Sequence, residues 1–165
     1  MKRVLITGMS GTGKSTVIEA LAGRGYKAVD ADYNGLSELV SMPASSDRSG
    51  LGVEQDWIWR EDRIADLLSS EDADVLFLSG TASNQAKFYR QFDHIVLLTA
   101  PASVMSERLA HRTNNPYGKD PKELARALAL KESVEPLLRR GADLEIDTSA
   151  TIDEVVDRIL GLIIK

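Results

Sequence analysis

Eight consecutive residues near the start of the chain, Gly8-Met9-Ser10-Gly11-Thr12-Gly13-Lys14-Ser15, fit the spacing G-x-x-x-x-G-K-[ST]. At average residue frequencies the four fixed positions arise by chance in about 1% of chains of this length. The chemistry that needs this spacing is the holding of a polyphosphate. Glycines let the backbone wind so that successive N–H groups point inward with no Cβ in the way, and the helix that follows adds the positive end of its dipole. The phosphates are expected against Gly8, Ser10, Gly11, Thr12, Gly13, Lys14, Ser15 and Thr16, with no role assigned to the side chains of Met9, Ser10 or Thr12. Lys14 should reach the β- and γ-phosphates and the Ser15 hydroxyl should ligate Mg²⁺. A plain strand–turn–helix would use the glycines for its turn but give Lys14-Ser15 no reason to be there.

Further constellations could act on the same ligand. Asp30-Ala31-Asp32 closes a short apolar run. Residues two apart in an extended chain face the same side, so one carboxylate could hold Mg²⁺ through water while the other accepts a hydroxyl proton. The competing reading is a pair of turn formers. Arg108 and Arg112 lie four apart, on one helix face, and lead into Thr113–Pro121 (TNNPYGKDP). Arg112 and Lys119 suit cations that arrive when a site closes; a solvated face with Glu107 as counterion weighs nearly as much on spacing alone. Arg60 or Arg63 could grip an anionic acceptor. Trp57 and Trp59, read as helical, fall on different faces, so one should be less buried and line an acceptor pocket. Asn84 and Gly80 follow a strand end and are candidate acceptor contacts. His94 and His111 have no second ligand at metal spacing and read as structural.

The elements that must position these residues alternate. Val4–Thr7, Tyr26–Val29, Val75–Leu78, Ile95–Leu98 and Leu144–Ile146 read as strands. Ser15–Arg24, Glu54–Leu68, Ala102–His111 and Lys122–Arg139 read as helices, and Ile152, Val155, Val156, Ile159, Leu160 and Ile163 form one stripe of a closing helix. Strands alternating with helices predict an α/β three-layer sandwich, a parallel sheet with helices on both faces. Its ligand would lie beyond the carboxyl ends of the strands. Residues 1–165 are expected to form a single domain. Within it, 42–53 (MPASSDRSGLGV) is expected to be a mobile acceptor-side loop and 113–121 a lid segment.

Composition narrows the function. The chain has 165 residues, no cysteine and a formal net charge of −5. A negative field repels nucleic acid backbones, so no nucleic acid partner is expected. No apolar run reaches the roughly 18 residues of a membrane span, and Val4–Ile6 is too short for a signal peptide core. A cytoplasmic monomer acting on a small molecule is expected. The guanine-reading N-K-x-D of GTPases is absent, and the Val75–Leu78 run ends in Ser79-Gly80 rather than the acidic residue usual in large ATPases.

The P-loop, Val29-Asp30-Ala31-Asp32, Trp59-Arg60, Arg112-Thr113-Asn114-Asn115, Glu135-Pro136-Leu137-Leu138 and Ile146-Asp147-Thr148-Ser149 together resemble the shikimate kinase-like and adenylate kinase-like P-loop kinases over nearly the whole chain. The resemblance implies a five-stranded parallel sheet in the order 2-3-1-4-5 and a closing lid. It implies ATP and Mg²⁺ as cofactors, with Lys14 on phosphate and Ser15 on the metal. Asp32 would meet the acceptor hydroxyl and Asp30 would sit near the metal. Arg60 would meet an acceptor carboxylate, Arg112 would reach the phosphates from the lid, and Arg108 and the loop after Asp147 would lie near adenine. Two departures set it apart from shikimate kinases. Ser79-Gly80-Thr81 stands where they carry three glycines, and Val134 stands where they carry a substrate-binding arginine. The expected reaction is transfer of the γ-phosphate to the hydroxyl of a small molecule through an altered acceptor site. The alternatives are a nucleoside monophosphate kinase and a non-enzymatic ATP-binding switch.

Overall fold

Strand β1 (Lys2–Thr7) is apolar on both faces, and Val4, Leu5 and Ile6 are fully buried. Alternation along a strand sends Val4 and Ile6 into one core and Leu5 into another. The first core packs against Val17, Ile18 and Leu21 of α1 (Lys14–Gly23) and against Val155, Val156, Ile159 and Leu160 of α5 (Ile152–Ile164). The second gathers Ile64 and Leu68 of α2 (Glu61–Ser69), Trp59, and Phe88 of a 3₁₀ segment, Gln85–Gln91. A third, smaller cluster joins Met9 and Leu97 to Met105 of α3 (Ala102–His111) and Leu138 of α4 (Pro121–Gly141). This computed structural model describes residues 1–41, 55–113 and 118–164.

β1 lies at the centre of a parallel sheet with β2 (Lys27–Asp30), β5 (Val75–Ser79), β6 (His94–Thr99) and β7 (Leu144–Asp147), in the order β2-β5-β1-β6-β7. Counted among these five strands alone, the order is 2-3-1-4-5, as the resemblance implied. The register sets Asp30 and Ile6 on either side of Ser79, and Asp147 beside Thr99. The carboxyl ends of the strands therefore finish on one edge, where their loops meet.

The stretch read as one helix over 54–68 is two elements. Residues Gln55–Trp59 form β4, which pairs antiparallel with β3 (Ser37–Ser41), and α2 begins only at Glu61. Alternating tryptophans in Asp56-Trp57-Ile58-Trp59 favour a pleated surface over a helix, and the partner strand supplies the pairing. On a strand the two tryptophans share a face. Trp59 is nevertheless buried and Trp57 exposed, because the β3–β4 pair runs outward past the edge of the core. The expected acceptor-side loop 42–53 lies outside the described residues, as do residues 114–117 of the expected lid. Among the described residues no helix is long and apolar enough to cross a membrane.

Candidate nucleotide and phosphoryl-transfer site

The turn between β1 and α1 needs its glycines. A Cβ on Gly8 would lie 2.4 Å from the Leu98 carbonyl oxygen, and Gly13 precedes α1 with a left-handed φ of 95°. The Lys14 ammonium donates to the carbonyls of Gly8 (2.6 Å) and Met9 (3.0 Å), folding back over the loop. Burial pulls its pKa from 10.5 down to about 8, against the opposing pull of Asp32 and Asp30.

Ser15 and Asp30, fifteen residues apart, meet here. The Ser15 hydroxyl donates to Asp30 Oδ2 at 2.8 Å. A hydroxyl and a carboxylate oxygen side by side are the hard donors that suit Mg²⁺, which takes few protein ligands and completes its shell with water and phosphate. Asp30 Oδ1 accepts the backbone N–H of Asp32 at 3.0 Å, which fixes the turn carrying Asp32. The Asp32 carboxyl is open to the cleft, yet the surrounding walls remove enough water to raise its pKa above the ordinary value. Lys14 opposes that rise, and the indole of Trp57 donates to Asp32 Oδ1 at 3.2 Å.

A cleft of about 490 Å³ joins these groups. Lys14, Ser15, Asp32, Arg108 and Arg112 line it, with Ser10, Gly11, Gly13 and Thr16 of the loop. Arg112 ends α3 close enough to act electrostatically on both Lys14 and Asp32. Arg108, one helical turn earlier, donates through Nη1 to the Thr148 hydroxyl at 2.8 Å and through Nη2 to the Thr148 carbonyl. Thr148 Oγ1 in turn donates to the Thr12 carbonyl at 2.7 Å. The loop after β7 is thus tied to the P-loop. Thr148, rather than Asp147, faces the cleft; Asp147 accepts the Ser149 N–H, which holds its pKa below the usual carboxylate range.

The other expected acceptor residues are not among those lining this cleft. Arg60 pairs with Glu38 at 3.6 Å. Asn84 grips β4: its Oδ1 accepts the Trp59 N–H at 3.1 Å, and its amide nitrogen donates to the Trp59 carbonyl at 2.9 Å and to Glu61 at 3.1 Å. Gly80 packs under Trp59. Two features escaped the sequence reading. His111, expected to be structural, lines the cleft beside Arg112. Thr81 accepts the Gly8 N–H at 3.2 Å and donates to the Gly8 carbonyl, while buried Gln85 donates to Thr7 Oγ1 at 3.1 Å and accepts the Ala82 N–H at 2.8 Å. For Thr81 and Gln85, a hydroxyl and an amide just beyond a strand end were the only trace in the sequence.

A family profile described as AAA domain matches residues 4–129. A shikimate kinase from Halorhodospira halophila is 30% identical over 152 residues, covering 89% of this chain and 84% of that one. The chain belongs to the AAA-domain P-loop proteins and to the shikimate kinase-like family. The fold of this shikimate kinase-like protein agrees. The solved structure of an Acinetobacter baumannii shikimate kinase, in complex with shikimate, superposes with a TM-score of 0.67 at 22% identity, covering 99% of this chain and 93% of that one. A nucleotide-binding protein from Thermosipho africanus is 27% identical over 147 residues, covering 88% of this chain and 48% of that protein. The shikimate kinase-like chain therefore spans about half the length of that relative.

Proposed function

We propose that this protein moves the γ-phosphate of Mg-ATP to the hydroxyl of a small molecule. The observation that carries the reading is the convergence on one cleft of Lys14, Asp32 and Arg112 beside the Ser15–Asp30 hydrogen bond. Lys14 would leave the Gly8 and Met9 carbonyls for the β- and γ-phosphates. Ser15 and Asp30 would hold Mg²⁺, which when bound neutralises phosphate charge. Asp32 would take the acceptor's hydroxyl proton as its oxygen bonds to the γ-phosphorus and the bridging P–O bond breaks, releasing ADP. Arg112 would stabilise the transferring charge, with residues 113–121 as the lid that brings it in. Arg108 and the loop after Asp147 would flank the base. The protein would work as a monomeric single domain in the cytoplasm.

The test is ADP production from Mg-ATP across shikimate, sugars, nucleosides and nucleoside monophosphates, with Lys14→Ala beside the wild type. One acceptor class should raise turnover well above the acceptor-free rate, and Lys14→Ala should abolish the rise. A best acceptor that already carries a phosphate would make it a nucleoside monophosphate kinase. Nucleotide binding with no acceptor-stimulated turnover would favour a non-enzymatic switch, a role compatible with longer relatives named only as nucleotide-binding proteins.

A further inference from the structure

The side chains of the β3–β4 pair that share Trp59's face border the carboxylate of Asp32. Ser37, opposite Trp59, donates to the Ala31 carbonyl at 2.6 Å, so this face turns toward the end of β2. Trp59 is 1% exposed against Ala31 and Gly80. The next pair outward, Leu39 opposite Trp57, is 56% and 42% exposed. Two large apolar side chains left open together, with the indole N–H of one held on Asp32 Oδ1 at 3.2 Å, place a flat carbon wall beside the candidate base. That bond occupies Oδ1; among the described residues Oδ2 accepts no hydrogen bond and can receive a hydroxyl.

Charge on this wall decides what fits it. Arg60 pairs with Glu38, and Arg63 donates to the Gly35 carbonyl at 3.2 Å. Glu61 is engaged by Lys87 and Asn84, and Asp56 accepts from Ser83 at 2.6 Å. Among the described residues the strands set no charged side chain on this face: Glu38 and Asp56 alternate to the opposite one, where Arg60 joins Glu38. A carboxylate-bearing acceptor would meet no cation of either strand on this face, whereas a neutral ring needs none. Aromatic side chains recognise such rings through area and face contacts.

We infer that Trp57 is the specificity wall and the positioning residue of the acceptor site, and that the acceptor is a neutral, hydroxyl-bearing ring compound, a sugar or a nucleoside, lying against Trp57 and Leu39. The inference rests on the phosphotransfer reading. The experiment follows intrinsic tryptophan fluorescence with Mg²⁺ and a non-hydrolysable ATP analogue present. Three arms are titrated: neutral sugars, nucleosides, and ring acids such as shikimate and uronic acids. Steady-state kinetics run alongside for wild type, Trp57→Phe and Trp57→Leu. A response to one neutral arm is expected, which names the source, and it should vanish in both variants because buried Trp59 does not report. Trp57→Leu should raise the acceptor KM at least about tenfold with the nucleotide KM unchanged. Trp57→Phe keeps the face but loses the N–H, so it should chiefly lower kcat. A response to ring acids alone, no response in any arm, or a Trp57→Leu enzyme with an unchanged acceptor KM overturns the inference while leaving Lys14-dependent transfer standing. A Trp57-dependent response to a neutral ring with no phosphoryl transfer supports the site and overturns the kinase reading.

Discussion

Lys14 and Thr81 meet on one backbone oxygen, the carbonyl of Gly8. The two residues are 67 positions apart and come from opposite ends of the site: the phosphate loop and the loop beyond β5. Thr81 also accepts the Gly8 N–H, so it braces both polar groups of the first P-loop glycine. When Lys14 turns to a phosphate, Thr81 remains as the partner of that carbonyl.

Replacing Thr81 by valine keeps its shape and removes both bonds. Leaving the Gly8 N–H without a partner costs about 1–3 kcal/mol. Nucleotide affinity is therefore expected to fall about 5- to 150-fold, measured by calorimetric titration, while Thr81→Ser restores it. Valine binding nucleotide as tightly as wild type would show the brace to be idle.

Lys14 titrates near pH 8 in the folded protein, against 10.5 when unfolded. Between these values the unfolded chain binds more protons, so this group's contribution disfavours folding fully below about pH 8 and fades as the pH rises toward 10.5. Phosphate favours the charged form. Nucleotide binding at pH 8.5 should therefore take up a proton, seen as a dependence of the binding enthalpy on the buffer's ionisation enthalpy, and affinity should decline above about pH 8. Lys14→Ala should remove the uptake.

The negative charge of Asp32 raises the Lys14 pKa, so Asp32→Asn has two expected effects. Transfer should slow about 10²- to 10⁴-fold, the usual worth of a general base. The midpoint of proton uptake on nucleotide binding should move to lower pH, because Lys14 loses a counter-charge. In the wild type, the acid limb of kcat/KM should lie above the ordinary aspartate pKa of 3.8, since burial raises Asp32. A midpoint that stays put in Asp32→Asn would separate the two residues.

Gly80 leaves no room for a side chain. A Cβ there would stand 2.9 Å from Ala31 Cβ and 3.0 Å from Trp59 Nε1, both held in the core. Gly80→Ala should cost about 1–3 kcal/mol by overpacking, read as a Tm lowered by roughly 2–4 °C per kcal/mol. Because Trp59 carries the strand that presents Trp57, the acceptor KM should rise while nucleotide affinity holds.

Much of the frame was legible because its signals are local. The P-loop spacing, the continuous apolar runs of β1, β5 and β6, and the helical stripe of α5 all lie within a few residues of each other. The β3–β4 pair was missed because its pairing is not local: Ser37–Ser41 is too polar to announce itself, and Gln55–Trp59 alone could pass for the first turns of the helix that follows. Asn34-Gly35, with left-handed φ values of 62° and 69°, was the overlooked sign that the chain turns before β3.

By itself, then, the sequence determined a P-loop followed by a helix, a parallel sheet covered on both faces, and the carboxylates of Asp30 and Asp32 beyond a strand. Only the tertiary structure decided which side chains meet there: Ser15 on Asp30, Trp57 on Asp32, Thr81 on Gly8, and Asn84 on the backbone of Trp59 rather than in the cleft. Local patterns carry the period of a helix or strand. A hydrogen bond between residues tens of positions apart leaves no period in the chain and exists only once the strand ends are brought to one edge of the sheet.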